Sequence, residues 1–311
     1  MQKSKKDFAA QRHCNGYKMN HSSFDDRYRR FIENLDHIPP LPAIVSQLLK
    51  VVGSAETSAG DVAELIEKDP ALTSKVIRLA NSAFYGVPRG VSSVQSAVVI
   101  LGFHTLKSIV LSTSIIDLFP VNSSGGSFER VRFWKHSILC ALTARKIADN
   151  LIDRLCVDPQ SAFCAGIMHD IGKLIFELFT PREYASVCRK SKDGEMPMSA
   201  AETENMGLNH ADIGRILSDK WALPLDLEAV IVNHHEPQME KNAVELVSLI
   251  NIADNLVHRL DYGLWEKEAF FPEWEYARKV LSIDNDKYER IRVSLPDEIE
   301  KFQNFFSIIG G

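Results

Sequence analysis

Apolar positions along this chain recur at helical spacing and are separated by polar punctuation. Ile44, Leu48, Leu49 and Val52 lie three or four residues apart, on one face of a predicted helix. Ser58-x-x-Asp61 reads as a capping-box start ahead of Val62, Leu65 and Ile66. Asp69-Pro70 joins an N-cap to a proline at the first helical position and opens a run from Ala71 to Leu79 that stops near Asn81-Ser82. The turn-rich stretch Tyr85-Gly-Val-Pro-Arg-Gly90 follows. Ser92-x-x-Gln95 is predicted to cap a helix through Leu101-Gly102, and another is predicted from about Thr105 to Leu118. The polar stretch Asn122-Ser-Ser-Gly-Gly-Ser127 then marks a domain boundary or a plain inter-helix loop.

Beyond it the predicted helices lengthen. One carries Trp134, His136, Ile138, Leu142 and Ile147. His210 opens Ala211-Asp-Ile-Gly-Arg-Ile-Leu217, which ends around Trp221 and Leu223-Pro224. His234-His235 close an apolar run just before Pro237, and Asp254 sits inside the largely apolar stretch from Leu246 to Val257. No strand alternation, heptad array or long repeat is present. The expectation is an all-α, two-lobed helical protein. It has a flexible polar tail over residues 1–24, with folded structure starting near Phe24 and a helix from Arg27 to Leu35. A helical lobe over 25–121, a helical bundle over 128–262 and peripheral helices over 263–311 follow.

Composition narrows the classes. With 45% hydrophobic and 25% charged residues in 311, the chain is ordinary globular protein. A net charge of −5 argues against a general nucleic-acid binder, although a local basic patch stays open. Cys14, Cys140, Cys156, Cys164 and Cys188 include no C-x-x-C pair, and Cys140 and Cys164 read as buried free thiols. A reduced, cytoplasmic protein is expected. The apolar stretch from Ala97 to Phe119 is interrupted by His104 and Lys107, so no membrane span is expected. Met-Gln-Lys-Ser-Lys-Lys at the start lacks the apolar core of a secretory signal.

The candidate chemistry centres on His169-Asp170 in Ala165-Gly-Ile-Met-His-Asp-Ile-Gly-Lys-Leu-Ile-Phe176. Burying a carboxylate, an imidazole and Lys173 in such a run is costly unless each finds a partner. His136, His210, His234, His235 and Asp254 lie in similar apolar surroundings, one or two per predicted helix. That is the rhythm of a site gathered inside a helical bundle, not of a zinc finger. These residues either pair with one another in a structural network or hold metal. For metal, a His/carboxylate shell without thiolate favours iron or manganese, with zinc or magnesium also open. Asp170 can bridge two cations with its two oxygens, and such a pair can clamp a phosphate oxygen. Lys173, one turn after His169, either meets that phosphate or pairs with Asp170. His258, four residues after Asp254, either supports that carboxylate or is exposed. Glu236 is a ligand, a general base or a solvated residue. No P-loop, dinucleotide fingerprint or serine-hydrolase elbow occurs.

In this order, His136, His169-Asp170-Ile-Gly-Lys173, His210-x-x-x-Gly214, His234-His235 and Asp254 resemble the HD superfamily of metal-dependent phosphohydrolases. Pro39-Pro-Leu-Pro-Ala43, Glu67-Lys-Asp-Pro-Ala-Leu-Thr-Ser-Lys-Val76, Leu79-Ala-Asn-Ser-Ala-Phe-Tyr-Gly86 and Ala97-Val-Val-Ile-Leu-Gly102 resemble the HDOD domain. Together the resemblance covers about residues 30–262. It implies an all-α fold and a role in bacterial signal transduction. It further implies one metal at His136, His169, Asp170 and Asp254, and a second held or bordered by Asp170, His210, His234 and His235, with Lys173 near phosphate. Asp170 and Lys173 are thus the candidate catalytic residues. The implied partner is a phosphorylated small molecule, a nucleotide or a signalling protein. HDOD domains frequently lack an intact HD site, whereas this chain has the whole set. After His234-His235-Glu236 comes Pro237-Gln-Met-Glu-Lys rather than the Gly-Tyr-Pro of the HD-GYP cyclic-dinucleotide phosphodiesterases, so that activity is not expected.

Overall fold

In a computed structural model, the structure describes residues 37–51, 58–82, 85–88, 90–120, 128–194, 196–262 and 274–295. The expected tail over 1–24, the helix from Arg27 to Leu35 and the break at 122–127 lie outside these. Every regular element among the described residues is helical.

The first helices follow their caps. After α1 (Ala43–Val51), α2 (Ala59–Glu67) starts at a full capping box: Ser58 Oγ accepts from the Asp61 amide and the Asp61 carboxylate accepts from the Ser58 amide. α3 (Pro70–Ala80) starts at Asp69, whose Oδ1 takes the amides of Ala71 and Leu72. Each of these two buries one apolar face: Val62, Ala63 and Ile66 on α2, and Leu72, Val76, Leu79 and Ala80 on α3. Both pack on α4 (Val94–Leu118).

One detail of α4 differs from the sequence expectation. Its cap is Ser93, not Ser92: the Ser93 hydroxyl takes the Ser96 amide. The break expected at Gly102 is present: its non-helical backbone (φ 82, ψ 163) kinks α4 into two helical stretches. That backbone region is open to glycine and to little else. α4 is the one described helix long and apolar enough to cross a membrane, but 61% of its most apolar stretch is buried inside the protein.

The remaining helices form the bundle: α5 (Arg130–Asn150), α6 (Pro159–Met168), α7 (Ile171–Phe179), α8 (Pro181–Asp193), α9 (Met198–Met206), α10 (His210–Trp221), α11 (Leu225–Asn233), α12 (Val244–Val257) and α13 (Trp274–Val280). Residues 285–295 are also helical. α5 lies between α6 and α12, α7 packs on α10, and α11 packs on α6, α10 and α12. α4 also packs on α6, so the helices on either side of the 121–127 segment meet directly. Trp134 Nε1 donates to the Phe119 carbonyl (2.9 Å), and Arg130 donates to the Pro120 carbonyl while pairing with Glu177. Trp221 Nε1 reaches back to the Pro39 carbonyl (3.0 Å). The described residues from Ile38 onward thus belong to one unit.

Candidate metal centre

Seven donors reach the centre from five places in the bundle. His136 comes from the middle of α5. His169 and Asp170 form the short link between α6 and α7. His210 is the first residue of α10, His234 and His235 follow the end of α11, and Asp254 lies in α12. Local sequence aims each one. Asn209, with Asp212, makes a capping box that starts α10 at His210. Asn251 on α12 donates to the His234 carbonyl (2.8 Å) and pins the end of α11. Gly172 lets α7 approach α10: a Cβ there would stand 2.0 Å from the His210 carbonyl oxygen.

The donors fall into two groups that share Asp170. Asp170 Oδ2 faces His136 Nε2 (3.7 Å) and His169 Nε2 (3.4 Å). Asp254 Oδ1 closes that group at 3.0 Å from His136 Nε2 and 3.7 Å from His169 Nε2. Asp170 Oδ1 faces the other group, at 3.4 Å from His210 Nε2 and 3.5 Å from His234 Nε2. His235 Nε2 joins it at 3.0 Å from His210 Nε2. Each group offers at least three converging donors. Six of the seven residues are at most 3% exposed; His235 alone is partly open.

Backbone and carboxylate acceptors sort the tautomers. His169 Nδ1 is 2.8 Å from the Gly166 carbonyl, His234 Nδ1 faces the carbonyls of Val230 and Ile231, and His210 Nδ1 is 2.6 Å from Glu202 Oε2. With Nδ1–H donating in each, it is Nε2 that faces the centre, available as a lone-pair donor whenever the ring is neutral. Lys173 Nζ donates to Asp170 Oδ2 at 2.7 Å, the ion pair that is one of its two readings.

Charge is balanced tightly here. Burial pushes His136 down to about 4, against the pull of Asp254. His234 is also lowered, and His235 is pushed well below its usual range, by burial and by neighbouring imidazoles. Burial opposes charge on His169 too, but the carboxylates of Asp170 and Asp254 outweigh it and hold the imidazole up to about 10. Burial would raise Asp170 and Asp254; Lys173 and His169 for the first, and His258, His136 and His169 for the second, keep both well below the carboxylate range.

The donor set fits a cation. His136 Nε2, His169 Nε2, His234 Nε2, Asp170 Oδ1 and Asp254 Oδ1 are buried without a hydrogen-bond partner of acceptable geometry. Buried polar atoms are rarely left so. Ligands held ~2.0–2.2 Å from one ion at octahedral to tetrahedral angles stand ~2.8–3.6 Å apart, which matches most of the spacings above.

The model of the HDOD domain family matches residues 38–237. The chain belongs to this family. An HDOD domain protein of unknown function from Geobacter sulfurreducens has the same fold, with a TM-score of 0.75 and 24% identity over 91% of this chain and 98% of that one. A candidate phosphohydrolase of Shewanella amazonensis SB2B gives 0.70 and 24% over 90% and 97%. A candidate signal-transduction protein of Marinobacter aquaeolei VT8 gives 0.75 and 19% over 94% and 67%. At these identities the likeness concerns the fold. An uncharacterised protein of Treponema pallidum (strain Nichols) is 22% identical over 230 residues, 74% of this HDOD chain but only 44% of that protein.

All seven predicted donors converge in this HDOD bundle. His258 is buried, with Nε2 3.4 Å from Asp254 Oδ1, so it supports that carboxylate. Glu236 is exposed and outside both groups. His104 is exposed near Asp158, away from the centre. Cys140 and Cys164 are buried free thiols, as read from the sequence. Sequence reasoning missed Glu202 and Tyr184. Glu202 is fully buried, accepts from the backbone N–H and the ring Nδ1 of His210, and takes the Tyr184 hydroxyl at 2.8 Å.

Proposed function

We propose that this HDOD protein acts in bacterial signal transduction by holding two divalent cations, iron or manganese, in its His/Asp cluster and binding a phosphorylated small molecule or nucleotide there. His136, His169, Asp170 and Asp254 would hold one cation; Asp170, His210, His234 and His235 would hold the other. The observation that carries the reading is Asp170, whose two oxygens each face a separate set of histidines. In this reading residues 128–262 are the binding bundle, residues 25–121 a lobe that meets a signalling partner, and residues 263–311 a peripheral support.

Bound cations would supply positive charge for phosphate oxygens and, in an active enzyme, an activated water. The chain's own residues do the rest. Lys173 keeps an ammonium beside Asp170 in a buried setting, where its charge is weakly screened. His235, the partly open member, marks the side from which a ligand would enter. Lys173 also favours a second reading, hydrolysis of the bound phosphoester, in line with the description of the Shewanella relative as a candidate phosphohydrolase.

Elemental analysis of protein purified without chelators or a metal-binding tag is the first test. About two equivalents of iron or manganese are expected for a two-cation centre, and Asp170→Ala should carry neither because both groups use it. Protein that arrives metal-free and refuses added iron, manganese and zinc overturns the reading. Inorganic phosphate should then bind the manganese-loaded protein in calorimetry. Turnover of p-nitrophenyl phosphate, abolished in Asp170→Ala, separates the enzyme from the binding protein.

A further inference from the structure

The two halves of the centre are not built alike, and the difference lies behind the donors. In the Asp170–His210–His234–His235 half, His210 backs onto Glu202. That carboxylate is wholly enclosed. Its Oε2 accepts from the His210 backbone N–H at 2.8 Å and from His210 Nδ1 at 2.6 Å; its Oε1 accepts from the Tyr184 hydroxyl at 2.8 Å. No lysine or arginine is among these contacts, so the full negative charge is directed at one imidazole. In the His136–His169–Asp254 half the inner nitrogens meet no carboxylate: His169 Nδ1 faces the Gly166 carbonyl, and His136 Nδ1 is buried without a hydrogen-bond partner.

We propose that Glu202, backed by Tyr184, is a positioning residue that sets the cation affinity of the His210 half alone. The inference rests on the two-cation reading above. A carboxylate behind a ligating imidazole fixes its tautomer, locks its ring plane and makes the outward nitrogen more basic. Here the geometry supplies the first two. The two bonds from one residue to one carboxylate oxygen tie the ring of His210 to its own backbone at the start of α10. The Nδ1–H is committed inward, so Nε2 is the donor. The buried charge adds to that of Asp170 on one side of the centre only. Tyr184 stands on α8 and Glu202 on α9, so the α8–α9 pair, which contributes no direct donor, tunes the site through this one contact.

The test is Mn2+ binding by the full chain, by calorimetry and by elemental analysis after gel filtration at fixed free Mn2+. Four proteins are compared: wild type, E202Q, D254N and the double variant. Glu202→Gln keeps shape and one acceptor while removing the charge. Wild type is expected to take up two ions. E202Q should retain one tightly and bind the other ~10–100-fold more weakly, the range for losing such an outer carboxylate. D254N should lose the other ion, and the double variant should hold no ion tightly, only the one weakened by E202Q. If Glu202 acted on the same half as Asp254, the double variant would still hold one ion at wild-type affinity, and the inference fails. An E202Q protein that binds both ions as wild type does overturns it as well. A wild type that takes up no Mn2+ overturns the two-cation reading itself, and the inference with it. A structural role would lower the melting temperature without this selectivity. Nitrogen-15 spectra of the imidazoles add an independent readout, because E202Q should shift the His210 resonances toward mixed tautomers while those of His169 stay in place. Should E202Q fail to fold, Y184F carries the question: a smaller weakening of the same ion supports the inference, and unchanged affinity for both ions overturns it.

Discussion

Residues 38–120 and 128–262 both bury apolar helix faces but use polar groups in opposite ways. In the first region the polar residues serve helix ends and surface. Ser58, Asp61, Asp69 and Ser93 satisfy amides at helix starts, and Lys75 pairs with Asp117 at the surface. Among its described residues no acidic, basic or imidazole side chain is buried; the buried polar groups are hydroxyls such as Ser108 and Thr113, which donate to backbone carbonyls. The second region buries His136, His169, Asp170, Lys173, Glu202, His210, His234 and Asp254. Charges taken out of water cost several kcal/mol each unless matched. Ordinary folding rules therefore account for the first region, while the second carries a cost that a bound cation would offset.

The largest expected contrast sets Asp170→Ala against Leu79→Ala. Leu79 is fully buried on α3, and its truncation should cost about 2–5 kcal/mol. Added Mn2+ should still raise the melting temperature of that variant as much as that of wild type. Asp170→Ala should lose the cation response altogether. At free cation 100-fold above Kd each site adds about 2.7 kcal/mol, so two sites amount to about 5 kcal/mol. Thermal melts with and without Mn2+ decide this, and a retained response in Asp170→Ala would show that the bundle does not need its shared carboxylate.

Two glycines sharpen the contrast at smaller scale. Gly102 in α4 is required for conformation: its φ is +82° and an added Cβ would meet nothing within 4 Å. Gly102→Ala should cost about 1–3 kcal/mol in backbone strain and leave cation uptake untouched. Gly172 is required for space, since its Cβ would run into the backbone of His210. Gly172→Ala should cost a similar about 1–3 kcal/mol from overpacking, but it must displace α10 and so release the cation held by His210. Denaturant melts paired with elemental analysis separate the two. If both variants bind two ions, the close approach of α7 to α10 is not what positions His210.

This split also explains what could be read from sequence. Caps and period are local, so Ser58, Asp69 and the all-α class were legible. The seven donors were legible because each interrupts an apolar run, and an interruption is a local signal. The Ser92 cap failed by one residue, since Ser92 and Ser93 are chemically equal and only the path of the chain out of Gly90–Val91 chooses between them. Glu202 was invisible. It sits in α9 beside Glu204 with no apolar stripe to mark an inner face, and only packing against α8 and α10 buries one and leaves the other paired with Lys190. His258 was undecided for the same reason: spacing of four from Asp254 put it within reach, but only tertiary packing buries it.

The smallest effect concerns the thiols, which distinguish the regions because residues 38–120 contain no cysteine. Burial pushes the Cys164 thiol up to about 12, with a smaller contribution from Asp226 working against Lys107. In the unfolded chain this thiol ionises near its ordinary value of 9. Between those values the unfolded state loses the proton and the folded state keeps it, so the unfolded state is favoured as pH rises; below 9 both keep it and stability does not depend on this group. From pH 9 to pH 10 the linkage amounts to about 1 kcal/mol for one thiol. Wild type should therefore lose about 1 kcal/mol relative to Cys164→Ala across that unit, measured by urea unfolding at both pH values. A difference that stays constant would mean that Cys164 ionises within the folded bundle. The packing around α6 would then be looser than the charge-burying centre a few residues away requires.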